Sequence, residues 1–295
     1  MPPRSRVKLS AGFIAIATAA SVAVTVFGPA GRALAASGPS GVSAPEAAIA
    51  NEKTGAILWS RELNTERPVA SITKVMTALV VLRSRVSLNR VLTVPKAVIG
   101  YVDKYGASSA GLHPGDRLTV GELLDAMLLP SGADAAYTLA QAFGPGIPAF
   151  VAAMNRTARQ LGMTRSDFSN FDGLPYPYDN SDYSTAADLI KLGRAAMAWP
   201  AFRKVVGARS YHLAAGSGHH AYTWQNINPL LGHYPGTTGI KTGWTPYSGH
   251  CLLFAVSLGG ITLIGVNLDS PGKGSTVNGV DATKMLNWGF SQPNG

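Results

Sequence analysis

Apolar and polar positions change period several times along this 295-residue chain. The stretch AAIANEKTGAILWSREL reads as two strands joined by a turn around 53–55. SITKVMTALVVLRSR is apolar on every side, which predicts a buried helix beginning near Ser71. Residues 91–120 carry short strand and turn signals, among them VLTVP and HPGDRLTV. Helical periodicity then holds over 121–129, 133–143, 147–162 and 185–199. Between the first two of these, Pro130-Ser131-Gly132 forces a break that a continuous helix does not tolerate. In the last third GTTGIKTGWT, HCLLFAVSL and ITLIGVNLD predict three consecutive antiparallel strands, and DATKMLNWGF a closing helix. Strands at both ends with helices between them predict an α+β fold. In it, one antiparallel sheet, assembled from the two termini, is flanked by a helical cluster.

The first residues belong to a different category. Arg4, Arg6 and Lys8 precede an apolar run over 11–27, and Ala33-Leu34-Ala35 offers small residues for cleavage. That order predicts a secretory signal peptide over 1–35. The run is marginal for spanning a bilayer, and 28–31 (GPAG) breaks it, so cleavage is favoured over an uncleaved anchor. ASGPSGVSAP predicts a flexible linker over 36–45, and the folded domain is expected over 46–292. The formal charge of +9 falls to +5 without the first 35 residues, which hold four basic and no acidic side chains. No Lys/Arg cluster interleaves with aromatics, which argues against nucleic-acid binding. A mild basic excess suits an exported protein among anionic wall polymers. The lone Cys251 excludes an internal disulfide and reads as a buried small residue.

Three short motifs carry the chemistry. In Ser71-Ile72-Thr73-Lys74 a helix would set serine and lysine one turn apart on one face, where a lysine of lowered pKa can take the serine proton. The plain alternative is an N-cap serine. Ser131-Gly132-Ala133 puts a hydroxyl on the inter-helix bend, where it either caps the next helix or faces a cleft. Lys241-Thr242-Gly243, followed by Trp244-Thr245, lies on a predicted strand, where cation and hydroxyl can bind an anion and the glycine admits close backbone approach. Each motif alone is common. The ordered set, each member in its expected context, is that of penicillin-binding and β-lactamase-type serine enzymes.

With these motifs, residues 46–290 resemble the serine-type D-Ala-D-Ala carboxypeptidases, the low-molecular-mass penicillin-binding proteins. TGAILWSRELNTERPVASITKVMTAL, FSNFDGLPYPYDNSDYSTAADL and NINPLLGHYPGTTGIKTGWT are similar to family blocks, and the short actinomycete DD-transpeptidases resemble the chain most. The resemblance implies a penicillin-binding/β-lactamase-like transpeptidase fold. It also implies catalysis by Ser71 as nucleophile, Lys74 as proton acceptor and Ser131 as proton relay. Lys241, helped by Thr242, would hold the terminal carboxylate, Gly243 would let substrate backbone approach, and the N–H of Ser71 with that of Thr245 or Trp244 would hold the oxyanion. The implied partners are peptidoglycan stem peptides ending in D-Ala-D-Ala and β-lactams, with no cofactor and no metal.

One departure is internal to the motifs: Ala133 stands where the family usually has Asn, and it supplies no amide. That motivates an alternative reading as a catalytically weakened penicillin- or stem-peptide-binding protein. A β-lactamase is disfavoured because no glutamate is evident for hydrolysing the acyl-enzyme. The chain also ends soon after the last helix, so a membrane anchor beyond the signal segment is not expected. Asp134 is expected to point away from the site, and Asp172 to lie in a loop bordering it. His250 is a candidate for facing the cleft. His219-His220 lacks a third ligand at metal spacing and reads as a solvent-facing hairpin pair.

Overall fold

The computed structural model describes residues 38–293 apart from Ser275. The predicted signal peptide and the start of the linker lie outside the described residues. Strands β1 (Glu46–Asn51) and β2 (Ile57–Arg61) form the N-terminal hairpin. The two-residue strand β3 (Arg67–Pro68) leads into a 3-10 turn (Ala70–Ile72) and helix α1 (Thr73–Arg83). Strands β4 (Val91–Thr93) and β5 (Arg117–Thr119) pair around helix α2 (Ala97–Tyr105). Helices α3 (Val120–Leu128), α4 (Ala133–Phe143) and α5 (Ile147–Gln160) follow. Strand β6 (Tyr183–Ser184) pairs with β3, and helices α6 (Ala186–Met197) and α7 (Pro200–Val206) complete the helical part. The hairpin β7 (Ser210–Leu213) and β8 (Tyr222–Gln225) precedes the long strands β9 (Thr237–Thr245), β10 (Gly249–Leu258) and β11 (Ile261–Ser270). Helix α8 (Val277–Phe290) closes the chain.

The main sheet is antiparallel, ordered β2-β1-β11-β10-β9, so the two termini do build one sheet. Both its faces are covered, which explains the unbroken apolar run in β10. Period-two alternation sends Cys251, Leu253 and Ala255 into the core shared with the helical cluster. Leu252, Phe254 and Val256 enter a second core with Ala282, Met285 and Leu286 of α8. Cys251 is buried and unpaired, and burial pushes its thiol up to about 12, which leaves it chemically quiet. Strand β9 lies at the sheet edge, and that edge borders the site described below.

The predicted elements recur with small shifts. Helix α2 and helix α7 were not anticipated: the first sits among turn signals, and the second is a short continuation after the Trp199-Pro200 break. The linker expectation fails for the described residues 38–45. Val42 and Ala44 are buried in the second core. The Asp281 carboxylate accepts from the Ser43 and Ala44 N–H groups, both at 2.8 Å, and Arg61 donates to the carbonyls of Val42 and Ala44. Composition indicated flexibility, but a buried carboxylate on α8 supplies partners that composition cannot show. Among the described residues no helix is long and apolar enough to cross a membrane.

Asp281 also accepts from the Ser270 hydroxyl at 2.9 Å, so it joins the N-terminal segment, β11 and α8. Asp281→Ala leaves those donors without a partner, at a cost of about 3 kcal/mol. Differential scanning calorimetry should show Tm lower by about 6–12 °C.

Candidate active site

Ser71 belongs to the 3-10 turn, and Lys74 lies in the first turn of α1. Neither Ser71 nor Ser131 serves as a helix cap: the α1 and α4 caps are Ile72 and Gly132, without side-chain bonds. The Ser71 hydroxyl instead meets the Lys74 ammonium, Nζ donating to Oγ at 2.9 Å. The same ammonium donates to the Asp172 carbonyl at 3.0 Å. Lys74 is 2% exposed. Loss of solvation is the strongest influence on it and lowers its pKa. The carboxylates of Asp172, Asp134 and Asp182 pull the other way without cancelling that shift.

The loop that supplies the Asp172 carbonyl is tightly held. Asn170 Oδ1 accepts from the Asp172 and Gly173 N–H groups at 3.1 and 2.7 Å, and Asn170 Nδ2 donates to the Leu174 and Tyr176 carbonyls. Thr77 of α1 donates to the Phe171 carbonyl at 2.6 Å. Gly173 has φ +84°, and a Cβ there would fall 1.8 Å from the Ala70 carbonyl oxygen, so only glycine fits against the turn holding Ser71. The Asp172 side chain is fully buried and accepts from the Tyr101 hydroxyl at 3.0 Å. Burial raises its pKa, opposed by Lys74 and by the Tyr101 bond. Asp172 thus supports Lys74 from behind.

Opposite Ser71, the Pro-Ser-Gly break holds Ser131 at φ +68°, in the left-handed region that costs a non-glycine residue energy. Its hydroxyl is buried and has no hydrogen-bond partner within the protein. Both features mark a side chain whose placement is set by something other than stability. On the third side, Gly243 of β9 abuts the turn: a Cβ there would lie 2.7 Å from the Val69 carbonyl oxygen and 3.2 Å from the Ser71 nitrogen. Ser71, Ser131, Thr242, Gly243, Trp244 and His250 border one cleft of about 550 Å³. His250 therefore faces the cleft, paired across the strands with Trp244, which is 58% exposed.

Lys241 sits directly behind Thr242, and Thr245 lies away from the cleft. Lys241 is 1% exposed and lies behind the cleft wall, its ammonium donating to the Thr242 carbonyl at 3.0 Å and reaching the Thr242 hydroxyl at 3.4 Å. Burial, reinforced by the Lys74 charge, holds its pKa well below the usual lysine range. Thr245 departs further from expectation. It is buried in the β9–β10 turn and does not border the cleft, and its N–H donates to Ser248 Oγ at 2.9 Å. An N–H engaged in its own turn cannot serve an oxyanion, and alternation along β9 leaves that wall position to Trp244.

The sequence reading missed Ser108, Ile227 and Asn278, which also border the cleft. They come from three distant segments, and no local pattern marks them. Asp134 turns away from the cleft, as expected. Its carboxylate accepts from Ser109 Oγ and from the Ala110 and Leu112 N–H groups, while the Ala133 N–H donates to the Ser108 carbonyl. It thereby fastens the loop that carries Ser108.

The strain at Ser131 is testable through stability alone. Ser131→Gly removes both the left-handed penalty and the unpartnered hydroxyl, against a smaller gain in unfolded-state entropy. It should stabilise the fold by about 1 kcal/mol, raising Tm by about 2–4 °C in thermal unfolding. A lower Tm would show a relaxed serine.

Comparison with known proteins agrees with this geometry. The family model for D-alanyl-D-alanine carboxypeptidase of peptidase family S11 matches residues 33–272. The D-alanyl-D-alanine carboxypeptidase of Streptomyces sp. (strain K15) is 39% identical over 255 residues, covering 82% of this chain and 85% of that protein. DacB2 of Mycobacterium tuberculosis, also a D-alanyl-D-alanine carboxypeptidase, is 34% identical over 244 residues, covering 82% of this chain and 81% of its own. The crystal structure of the Streptomyces K15 DD-transpeptidase superposes with a TM-score of 0.81 at 38% identity, over 87% of this chain and all of that one. A serine against a buried lysine, in a cleft edged by a Lys-Thr-Gly strand on this α+β scaffold, thus has a family to which the chain belongs: the S11 serine-type D-alanyl-D-alanine carboxypeptidases.

Proposed function

We propose that this enzyme cleaves the terminal D-alanine from peptidoglycan stem peptides through an acyl-enzyme on Ser71, and that it acts outside the cytoplasmic membrane after export. The observation that carries the reading is the 2.9 Å contact between Ser71 Oγ and Lys74 Nζ, with burial lowering the lysine pKa. In its neutral form Lys74 takes the Ser71 proton as Oγ attacks the carbonyl carbon of the penultimate D-alanine. The N–H groups of Ser71 and Trp244 hold the resulting oxyanion. The C–N bond then breaks, and the Lys74 proton passes by way of Ser131 to the departing amine. Thr242 receives the terminal carboxylate, with the Lys241 amine behind it and Gly243 leaving room for substrate backbone along the β9 edge. Water or a second peptide's amine then takes the acyl group. A β-lactam enters as a mimic of the dipeptide and acylates the same oxygen.

Ala133 supports a second reading, in which acylation outpaces turnover and the protein chiefly binds its peptide. Both readings meet one assay. A fluorescent penicillin should label the protein one to one, the adduct mapping to Ser71 by mass spectrometry and vanishing in Ser71→Ala. D-Alanine release from a diacyl-D-Ala-D-Ala peptide then tests turnover, with and without an amine acceptor. Labelling without release favours the second reading, and no adduct on a folded protein defeats both.

The role of Lys74 sets a pH dependence. Only the neutral amine accepts a proton, and its fraction grows as pH rises toward the lysine's own pKa. That pKa lies below the ordinary lysine value of about 10.4, so acylation should climb with pH and level off below that range. In Lys74→Arg the guanidinium stays protonated. Stopped-flow acylation should fall by about 10²–10⁴-fold and lose that rising limb.

A further inference from the structure

Among the described residues, one cluster of ligating side chains lies outside the cleft. His113 and Asp116 sit in the loop between α2 and β5, and His220 in the turn of the β7–β8 hairpin. The sequence leaves His220 without a third ligand, and the fold brings two to it from more than 100 residues away. One ligand atom from each of the three residues falls within a 4.8 Å span. Asp116 Oδ1 and Oδ2 each lie 3.0 Å from His220 Nδ1. The Tyr222 hydroxyl donates to Asp116 Oδ2 at 2.5 Å and sits 3.1 Å from His113 Nδ1. The Asp116 side chain is 8% exposed and that of His220 61%. The cluster therefore has a fixed carboxylate floor and a movable imidazole rim.

We propose that His113, Asp116 and His220 form a binding site for a divalent transition metal, zinc by ligand chemistry. Neutral imidazoles with one carboxylate match the nitrogen–oxygen donor set of zinc, whereas calcium and magnesium take oxygen donors. Ligands around a tetrahedral zinc stand about 3.3 Å apart, from bond lengths near 2.0 Å. The Asp116–His220 contact is already close to that spacing.

One adjustment is required. The two imidazoles stack with centroids 4.0 Å apart and 26° between planes. Each ring must turn about its last side-chain torsion to aim a nitrogen at a shared ion. Both residues are exposed, so the turn exchanges only the ring stack and the imidazole bonds to Tyr222 and Asp116 for bonds to the ion. The Tyr222 hydroxyl or a solvent molecule completes a fourth position.

The placement gives the ion a structural task. The Ser108 end of the loop carrying His113 borders the cleft, as does Ile227, two residues beyond β8. The Arg117 N–H donates to the Gly218 carbonyl at 2.7 Å, and Trp224 Nε1 to the Ala110 carbonyl at 2.9 Å. The ion would add a further tie between loop and hairpin, stapling two segments that wall the cleft.

Metal-free protein titrated with Co²⁺ should bind one ion per chain, with visible absorption of tetrahedral intensity that Zn²⁺ abolishes by displacement. Saturating Zn²⁺ should raise Tm by about 5 °C or more. His113→Gln and His220→Gln, both at exposed rings, should each weaken binding at least tenfold, while His219→Ala, the adjacent imidazole, should leave it intact. Metal-free Tm values of the variants within a few degrees of the parent establish that they fold. Absence of saturable uptake overturns the proposal, as does uptake that survives both glutamine variants or that requires His219.

Discussion

Two lysine ammonium groups, Lys74 and Lys241, are buried within each other's electrostatic reach, and the rest of the site follows from that constraint. A buried cation is tolerable only with acceptors close by. Lys74 finds the Ser71 hydroxyl and the Asp172 carbonyl, with carboxylates behind them. Lys241 finds the carbonyl and hydroxyl of Thr242. The Asn170 network, the glycine at 173 and the Tyr101–Asp172 bond all hold the loop that makes the first arrangement possible. Removing solvent from Lys74 is also what makes a proton acceptor of a side chain that would otherwise stay charged.

The cleft is a junction of parts that differ in stiffness. Its floor is the turn and the largely buried first helix, and its far edge is β9, tied into a sheet with cores on both faces. Ser131 is held between two helices in a conformation that local energetics disfavour. The remaining wall comes from the loop after α2, fastened by Asp134, and from the chain following the β7–β8 hairpin. A cation joining His113, Asp116 and His220 would act on this outer wall, away from the serine and lysines.

Ala133 shows how such a site accommodates a change of residue. It is buried at the start of α4, its N–H engaged with the Ser108 carbonyl. The backbone at this position therefore still ties the bend to the cleft wall, although the side chain offers no hydrogen bond.

Much of this was legible in the chain itself. Period-two alternation and turn residues disclose β9, β10 and β11, and the all-round apolar run discloses α1, because side-chain periodicity is a local property of backbone geometry. Ser71 and Lys74 share a face by helical spacing alone, and a proline followed by serine and glycine requires a bend wherever it occurs. Contacts between distant segments are not encoded locally. The docking of 38–45 on Asp281, the turning of the Thr245 N–H onto Ser248, the arrival of Ser108 and Ile227 on the cleft wall and the meeting of His220 with His113 and Asp116 each depend on loops brought together by the sheet and the helical cluster. Sequence determined which residues could do chemistry and on which elements they ride. Tertiary structure decided which of them face one another, because burial and hydrogen-bond partnership are set by neighbours remote along the chain.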